Sequence, residues 1–396
     1  MVYEGDQKLG DFFSSRREKG RAGLPTVSVT LTRGLIDRSS LDRKTDTNLD
    51  EDEHLLVRKG DLVYNMMRMW QGASGLAEKD SIVSPAYIVL SPKNDVDPLY
   101  ASYLFKTQRL IYLFWAYSYG LTSDRLRLYF PDFSIIPVNV PSVESQARIA
   151  NIISTWSKAI DLTEKLIRNS QAQKKAIMQQ LLTGKVRLTK FPEEWEPFQI
   201  GDMGKIVSGG TPDTGDSEYW DGSIPWATPS DIVGLRNRHI KNTIRKISKK
   251  GVSNSSASIL PKGTLLICTR ATIGYLAIST AEITTNQGFK NLIPKKNFDV
   301  DFLNYLFIFF RNKFIRYACG STFLELSKKD FSRLRFDCPK LDEQKRIASI
   351  LGSIDQVISL KYKVLDELVV EKKSLMQQLL TGKRSVKVDE SAKEAN

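Results

Sequence analysis

Arginine and lysine are the side chains through which this sequence can act. Residues 236–250 hold Arg236, Arg238, Lys241, Arg245, Lys246, Lys249 and Lys250 without a single acid. Near the start, Arg16, Arg17, Lys19, Arg21 and Arg33 have Glu18 as the one acid among them. Arg125 and Arg127, then Lys328, Lys329, Arg333 and Arg335, form smaller groups, and Arg68 and Arg270 each precede a glycine by four residues. Lysine suits phosphate contacts, which give affinity without choice of sequence, whereas arginine can bracket the edge of a guanine. With 58 basic against 45 acidic residues the net charge is +13, which points to a polyanion, most often nucleic acid. Arg16, Arg17, Lys19, Arg21, Arg68, Arg125, Arg236, Arg238, Lys241, Arg270 and Lys328 are therefore the candidate contacts to duplex DNA.

Other chemistries lack raw material. The chain has two histidines, His54 and His239, and three cysteines, Cys268, Cys319 and Cys338, with no CxxC pair, so neither a disulfide scaffold nor a zinc ribbon fits. Gly184-Lys185 is not a P-loop, because Gln179 stands where the upstream glycine belongs and Val186 follows the lysine. Pro131-Asp132 and Pro212-Asp213 have no Glu-x-Lys to complete a nuclease site, and no Pro-Pro-aromatic run offers a seat for a flipped adenine. Gly209-Gly210-Thr211-Pro212 has the composition of a phosphate cradle but is better read as a turn between strands. Cys268, in an apolar run, is expected in the core and His239 on a solvated surface. The expectation is a binder without catalytic residues, metal or cofactor. The longest apolar runs, such as Leu303–Phe310, fall short of the roughly 18 residues that span a bilayer, and no secretory n-region opens the chain, so a cytoplasmic protein is expected.

What positions the arginines is a duplication. MQQLLTGK occurs at Met178–Lys185 and again at Met376–Lys383, and Gln146–Lys185 laid without gaps on Gln344–Lys383 gives 18 identities in 40 positions. In each copy two interleaved series of period seven are mainly apolar. The first runs Ile149, Trp156, Thr163, Ser170, Ile177 with Ile153, Ile160, Ile167, Lys174, Leu181; the second runs Ile347, Ile354, Lys361, Leu368, Leu375 with Leu351, Ile358, Leu365, Lys372, Leu379. That is a coiled-coil seam. A proline opens each run (Pro141, Pro339) and Thr-Gly closes it, so each tail is a helix of roughly 39 residues and about 58 Å. A stripe of this kind needs a partner, and the matching stripe in the same chain is favoured over a second molecule. The preceding regions read as mixed α/β heads, with strands at Gly60–Tyr64, Ile82–Leu90 and Gly263–Cys268, and helices near Pro98–Phe114 and Asp301–Arg316. The division expected is a first head at 1–141, a central helix at 142–184, a second head at 191–340, a C-terminal helix at 341–383 and a polar tail at 384–396. Lys59-Gly60 aligns with Lys262-Gly263, Arg68 with Arg270, and Gly72 with Gly274.

QARIA and QKRIA at the helix starts, with the two MQQLLTGK motifs, resemble the specificity subunit of type I restriction–modification systems. KGDLVYNMMRMWQGASG (Lys59–Gly75) followed by SPAYIVL resembles one type of target recognition domain in that family. GGTPDTGDSEYWDGSIPW (Gly209–Trp226), TRATIG (Thr269–Gly274) and TNQGFKNLIP (Thr285–Pro294) resemble another. The resemblance covers nearly the whole chain; the Trp195-Glu196 pair has no counterpart before Gly10-Asp11. It implies an α+β fold with two α/β target recognition domains separated by two long antiparallel helices, an intramolecular coiled coil with a pseudo-two-fold axis. It also implies that each head reads half of a split, asymmetric DNA site, while the helices set the spacer and dock two modification subunits. S-adenosylmethionine would then be bound by those methyltransferase partners, and restriction subunits would add translocation and cleavage. A self-contained regulator dimerising through its helices, or a nuclease with an unrecognised site, are the rival readings. Co-purification with a methyltransferase separates them.

Overall fold

The computed structural model describes residues 7–40, 49–122, 124–320 and 324–386; most of the expected polar tail, residues 387–396, lies outside them. Two compact units result, one of residues 1–162 with 366–396, the other of residues 163–365. Each therefore joins one head and the first part of its own long helix to the second part of the other helix.

In the first head a four-stranded antiparallel sheet runs Phe13–Arg16, Tyr87–Pro92, Leu62–Asn65, Ser74–Leu76. The second head repeats that order as Gly204–Ser208, Phe289–Pro294, Leu265–Cys268, Leu276–Ser279, then adds His239–Ile240 as a parallel edge. Gly60 (φ 92°) and Gly263 (φ 83°) make the left-handed turn before the equivalent central strands, as the aligned Lys-Gly pairs require. The stretch 82–90 is not one strand. Ser81–Val83 and Tyr87–Pro92 belong to different sheets, because Pro85 has no amide to donate and Tyr87 N closes a turn on Ser84 O at 3.0 Å. The helical regions are also interrupted, into Pro98–Leu104 and Gln108–Ala116, capped by Thr107, and into Val300–Phe309 and Arg311–Arg316.

The central helix (Val143–Leu181) and the C-terminal helix (Leu341–Leu379) each span 39 residues, the length expected from the heptads. Gln146 and Gln344 fasten their starts. Gln146 is fully buried; its oxygen accepts from Asp97 N at 2.8 Å and its amide donates to Pro141 O at 2.8 Å and Asp95 O at 3.0 Å. Gln344 repeats this with Asp299 N (2.9 Å), Pro339 O (2.8 Å) and Asn297 O (3.4 Å). Asp97 and Asp299 in turn cap the helices at Pro98 and Val300. At the far ends Gly184 (φ 66°) and Gly382 (φ 69°) stop the helices, while Met178, Leu181 and Leu182 enter the core of the second unit, and Leu379 and Leu380 that of the first.

The polar interruptions of the seam are paired. Lys361 donates to Ser170 at 2.6 Å, Gln171 to Tyr362 at 3.1 Å, and Lys174 meets Asp355 at 2.6 Å, so one helix descends in number as the other rises. In the first unit burial lowers the pKa of Lys372, which lies over the Tyr103 ring with Asp161 for charge balance. The apolar stripes therefore meet within the chain, antiparallel, and polar pairs at three places fix their register.

Candidate nucleic-acid interface

In the first head Arg68 is exposed at the start of a short turn, Met69–Gln71, that ends on Gly72 (φ 81°). Trp70 donates its indole N–H to Met67 O at 3.0 Å. Underneath, the Lys106 ammonium donates to Gly72 O (2.6 Å) and Ser74 O (2.9 Å), and burial pulls its pKa down to about 8. A second loop is tied alongside by Leu128 N to Met66 O at 3.0 Å and is closed by a β-bridge between Tyr119 and Arg127. An open cleft thus gathers Arg68, Arg125 and Arg127 with Met67, Trp70 and Gln71. Cations for phosphate, an amide and a ring for bases are the side chains that a DNA-reading surface uses.

The second head builds the same loops from other residues. Arg270 follows Thr269, whose carbonyl accepts from Leu326 N at 2.8 Å, and Gly274 (φ 77°) ends the turn as Gly72 does. Here Arg311 replaces Lys106: its Nε donates to Ile273 O at 2.9 Å and its guanidinium stacks on Tyr275. Ala271 (φ 60°) is one of two non-glycine residues in the left-handed region among the described residues, a costly conformation that the surrounding bonds maintain. Beside Arg270 lie Glu325, at 4.0 Å from its Nε, and Lys290, whose ammonium is 3.8 Å from the same carboxylate. Gln287 is exposed and accepts from the Thr211 hydroxyl. Gly209 N donates to Phe289 O and Gly210 N to Thr285 O, and a Cβ on either glycine would collide with backbone. Those amides are used within the fold, so the glycines form a packed turn and not a phosphate cradle.

Two sequence candidates are held inside the protein. Arg16 binds Asp61 at 2.8 Å, Glu18 at 2.6 Å and Ser91 at 2.9 Å, and the hydrogen bond to Asp61 raises its pKa. Arg238 reaches Asp301 at 2.9 Å, Asp355 of the C-terminal helix at 2.8 Å, and the Tyr305 hydroxyl. Both guanidinium groups are engaged and mostly shielded, which leaves them to hold the fold. Arg236 is exposed but stacks on Tyr362 of the C-terminal helix, so the basic run 236–250 divides: its start faces the helix and Lys241, Arg245, Lys246, Lys249 and Lys250 stay exposed on the head. Arg245 is laid over Trp220 at 3.8 Å. Arg17, Lys19, Arg21 and Lys328 are exposed. Cys268 is buried, with its thiol pKa pushed up to about 12, and His239 is exposed with its pKa lowered by partial burial. Glu325, Lys290 and Gln287 were not marked by composition: a lone acid, a buried lysine and a loop glutamine acquire meaning only through their neighbours. No group of three or more His, Cys, Asp or Glu suited to a metal occurs among the described residues, and no helix there is long and apolar enough to cross a membrane.

The family model of the type I restriction modification DNA specificity domain matches twice, at residues 8–169 and 192–369. The chain is 38% identical over 187 residues to the MjaIX type I restriction enzyme specificity subunit of Methanocaldococcus jannaschii, which is 46% of this chain but 43% of that one. It is 23% identical over 395 residues to the putative MjaX specificity subunit of the same organism, covering 94% and 90%. A solved chain from a type I R-M system shares the fold with a TM-score of 0.59 at 18% identity, covering 94% and 96%. The S subunit from M. genitalium does so with a TM-score of 0.58 at 16% identity, covering 94% and 95%.

Proposed function

Because the chain belongs to the type I restriction–modification DNA specificity family, we propose that it is the DNA-reading subunit of a type I restriction–modification complex. Each head reads one half of a bipartite, asymmetric site, and the paired helices set the spacer between the halves. Methylation and cleavage fall to partner subunits. Two modification subunits docked on the duplicated scaffold would carry S-adenosylmethionine, and restriction subunits would add translocation, all in the cytoplasm where the DNA lies.

One observation carries this reading: the same loop pair recurs in both heads on the same strand order, but with different side chains at its tips. A duplicated scaffold with matching tips would suit a palindrome; dissimilar tips suit two different half-sites. The exposed candidates Arg17, Lys19, Arg21, Arg68, Arg125, Lys241, Arg270 and Lys328 remain as contacts, the lysines to phosphate and Arg68 and Arg270 to bases.

The test is selection of bound sites from a randomised duplex library by the chain assembled with its modification subunits. Two unlike half-sites at fixed spacing are expected, with Arg68→Ala and Arg270→Ala each weakening a different half by roughly 1–3 kcal/mol. Enrichment of a single continuous or palindromic site, or purification without a methyltransferase partner, would refute the assignment.

A further inference from the structure

One backbone position in the recognition loops bears opposite charges in the two heads. In the first head Arg127 pairs with Tyr119 across the loop, and the next residue, Leu128, donates to Met66 O. In the second head Glu325 pairs with Cys319 in the same way, and the next residue, Leu326, donates to Thr269 O. Arg127 and Glu325 therefore stand at matched places beside Arg68 and Arg270. Glu325 is an acid in a basic setting, close to Arg270 and Lys290.

Resting on the reading of the heads as DNA readers, we propose that position 127/325 determines specificity: Glu325 accepts a hydrogen bond from a base amino group, cytosine N4 foremost, and Arg127 at the equivalent place selects guanine. A carboxylate turned towards phosphates would be repelled by the polyanion, whereas cytosine N4 is a donor that Asp or Glu accepts from. Its side chain is 43% exposed, enough to meet a base edge. The backbone beside it is held in place: Arg270 and Glu325 share a β-bridge, Thr272 N donates to Arg270 O at 2.7 Å, and Ala271 stays left-handed between Arg270 and Thr272. A loop whose backbone is preset in this way loses little backbone freedom when DNA arrives.

The competing role for Glu325 is structural, as the counter-charge of Lys290, which is 7% exposed. Site selection with the full complex separates the two, using Glu325→Gln, Glu325→Arg and, in the other head, Arg127→Glu. Glu325→Gln should cost about tenfold or more in affinity at one base pair of one half-site and leave the other half-site unchanged. Glu325→Arg should move the preference at that pair to guanine, and Arg127→Glu should change a single pair in the other half-site. A loss spread evenly over all sequences, accompanied by a lower melting temperature, would assign Glu325 to Lys290 alone and overturn the proposal. If the unaltered complex enriched no site, the reading of the heads as DNA readers would fail instead.

Discussion

Replacing Gln344 with alanine tests how the C-terminal helix is fastened to its head. The amide is 1% exposed and makes three hydrogen bonds, to Asp299 N, Pro339 O and Asn297 O, the last at the limit of a useful distance. Alanine removes all three partners at once. An amide hydrogen stranded without an acceptor costs about 1–3 kcal/mol, and the Pro339 carbonyl, also buried, loses its donor. Taking the middle of that range for the first and the lower end for the second gives a loss of about 3 kcal/mol. For a unit the size of residues 163–365 this corresponds to a fall of roughly 6–12 °C in melting temperature. Calorimetry or urea unfolding reads it directly, with the exposed Gln356→Ala expected to move stability by less than about 0.5 kcal/mol. Gln146→Ala should destabilise the first unit by the same reasoning. If Gln344→Ala matched the Gln356→Ala control, water would be satisfying those groups, and the account of why both repeats carry glutamine here would be wrong.

Arg238→Ala leaves Asp301 and Asp355 without their shared cation in a half-buried place. A destabilisation of about 2–3 kcal/mol is expected, below that of a fully buried pair, and thermal unfolding should show it while site selection keeps its sequence preference. Lys106 should titrate near pH 8 by NMR of its ε-methylene. Its folded pKa lies below the unfolded value, so the unfolded chain holds more protons between about 8 and 10.5. Stability should therefore rise with pH through that window relative to Lys106→Met, and a constant difference would contradict the burial argument. Iodoacetamide at neutral pH should label Cys319, which is exposed, and spare Cys268 and Cys338, whose thiols are buried and raised to about 12; peptide mass mapping decides.

The parts of the fold that could be read in advance are those where one local rule governs. A seam sustained through 39 residues announces a helix because only that geometry keeps period-seven residues on one face, and Thr-Gly marks its end because glycine tolerates the left-handed stop. Where two rules compete, the apolar pattern misleads. Residues 82–90 look like one strand until Pro85 withholds a donor, and Asp301–Arg316 looks like one helix until Phe310 interrupts it. The site was visible only as charge. A run of arginines states that solvent or a polyanion is near, but not which guanidinium finds an acid elsewhere in the chain. The acids that engage Arg238 are 63 and 117 positions away, and of the two that engage Arg16 the buried one, Asp61, is 45 away. The duplication supplies what a single copy would not. Residues alike in both copies, Gln146 with Gln344, Gly60 with Gly263 and Gly72 with Gly274, are those whose geometry the scaffold requires. Residues that differ at matched backbone positions, Arg127 against Glu325 above all, lie in the exposed loops. A chain that must hold one frame while reading two unlike sequences is constrained to be alike at the first kind of position and free to differ at the second, so comparing its halves separates support from recognition.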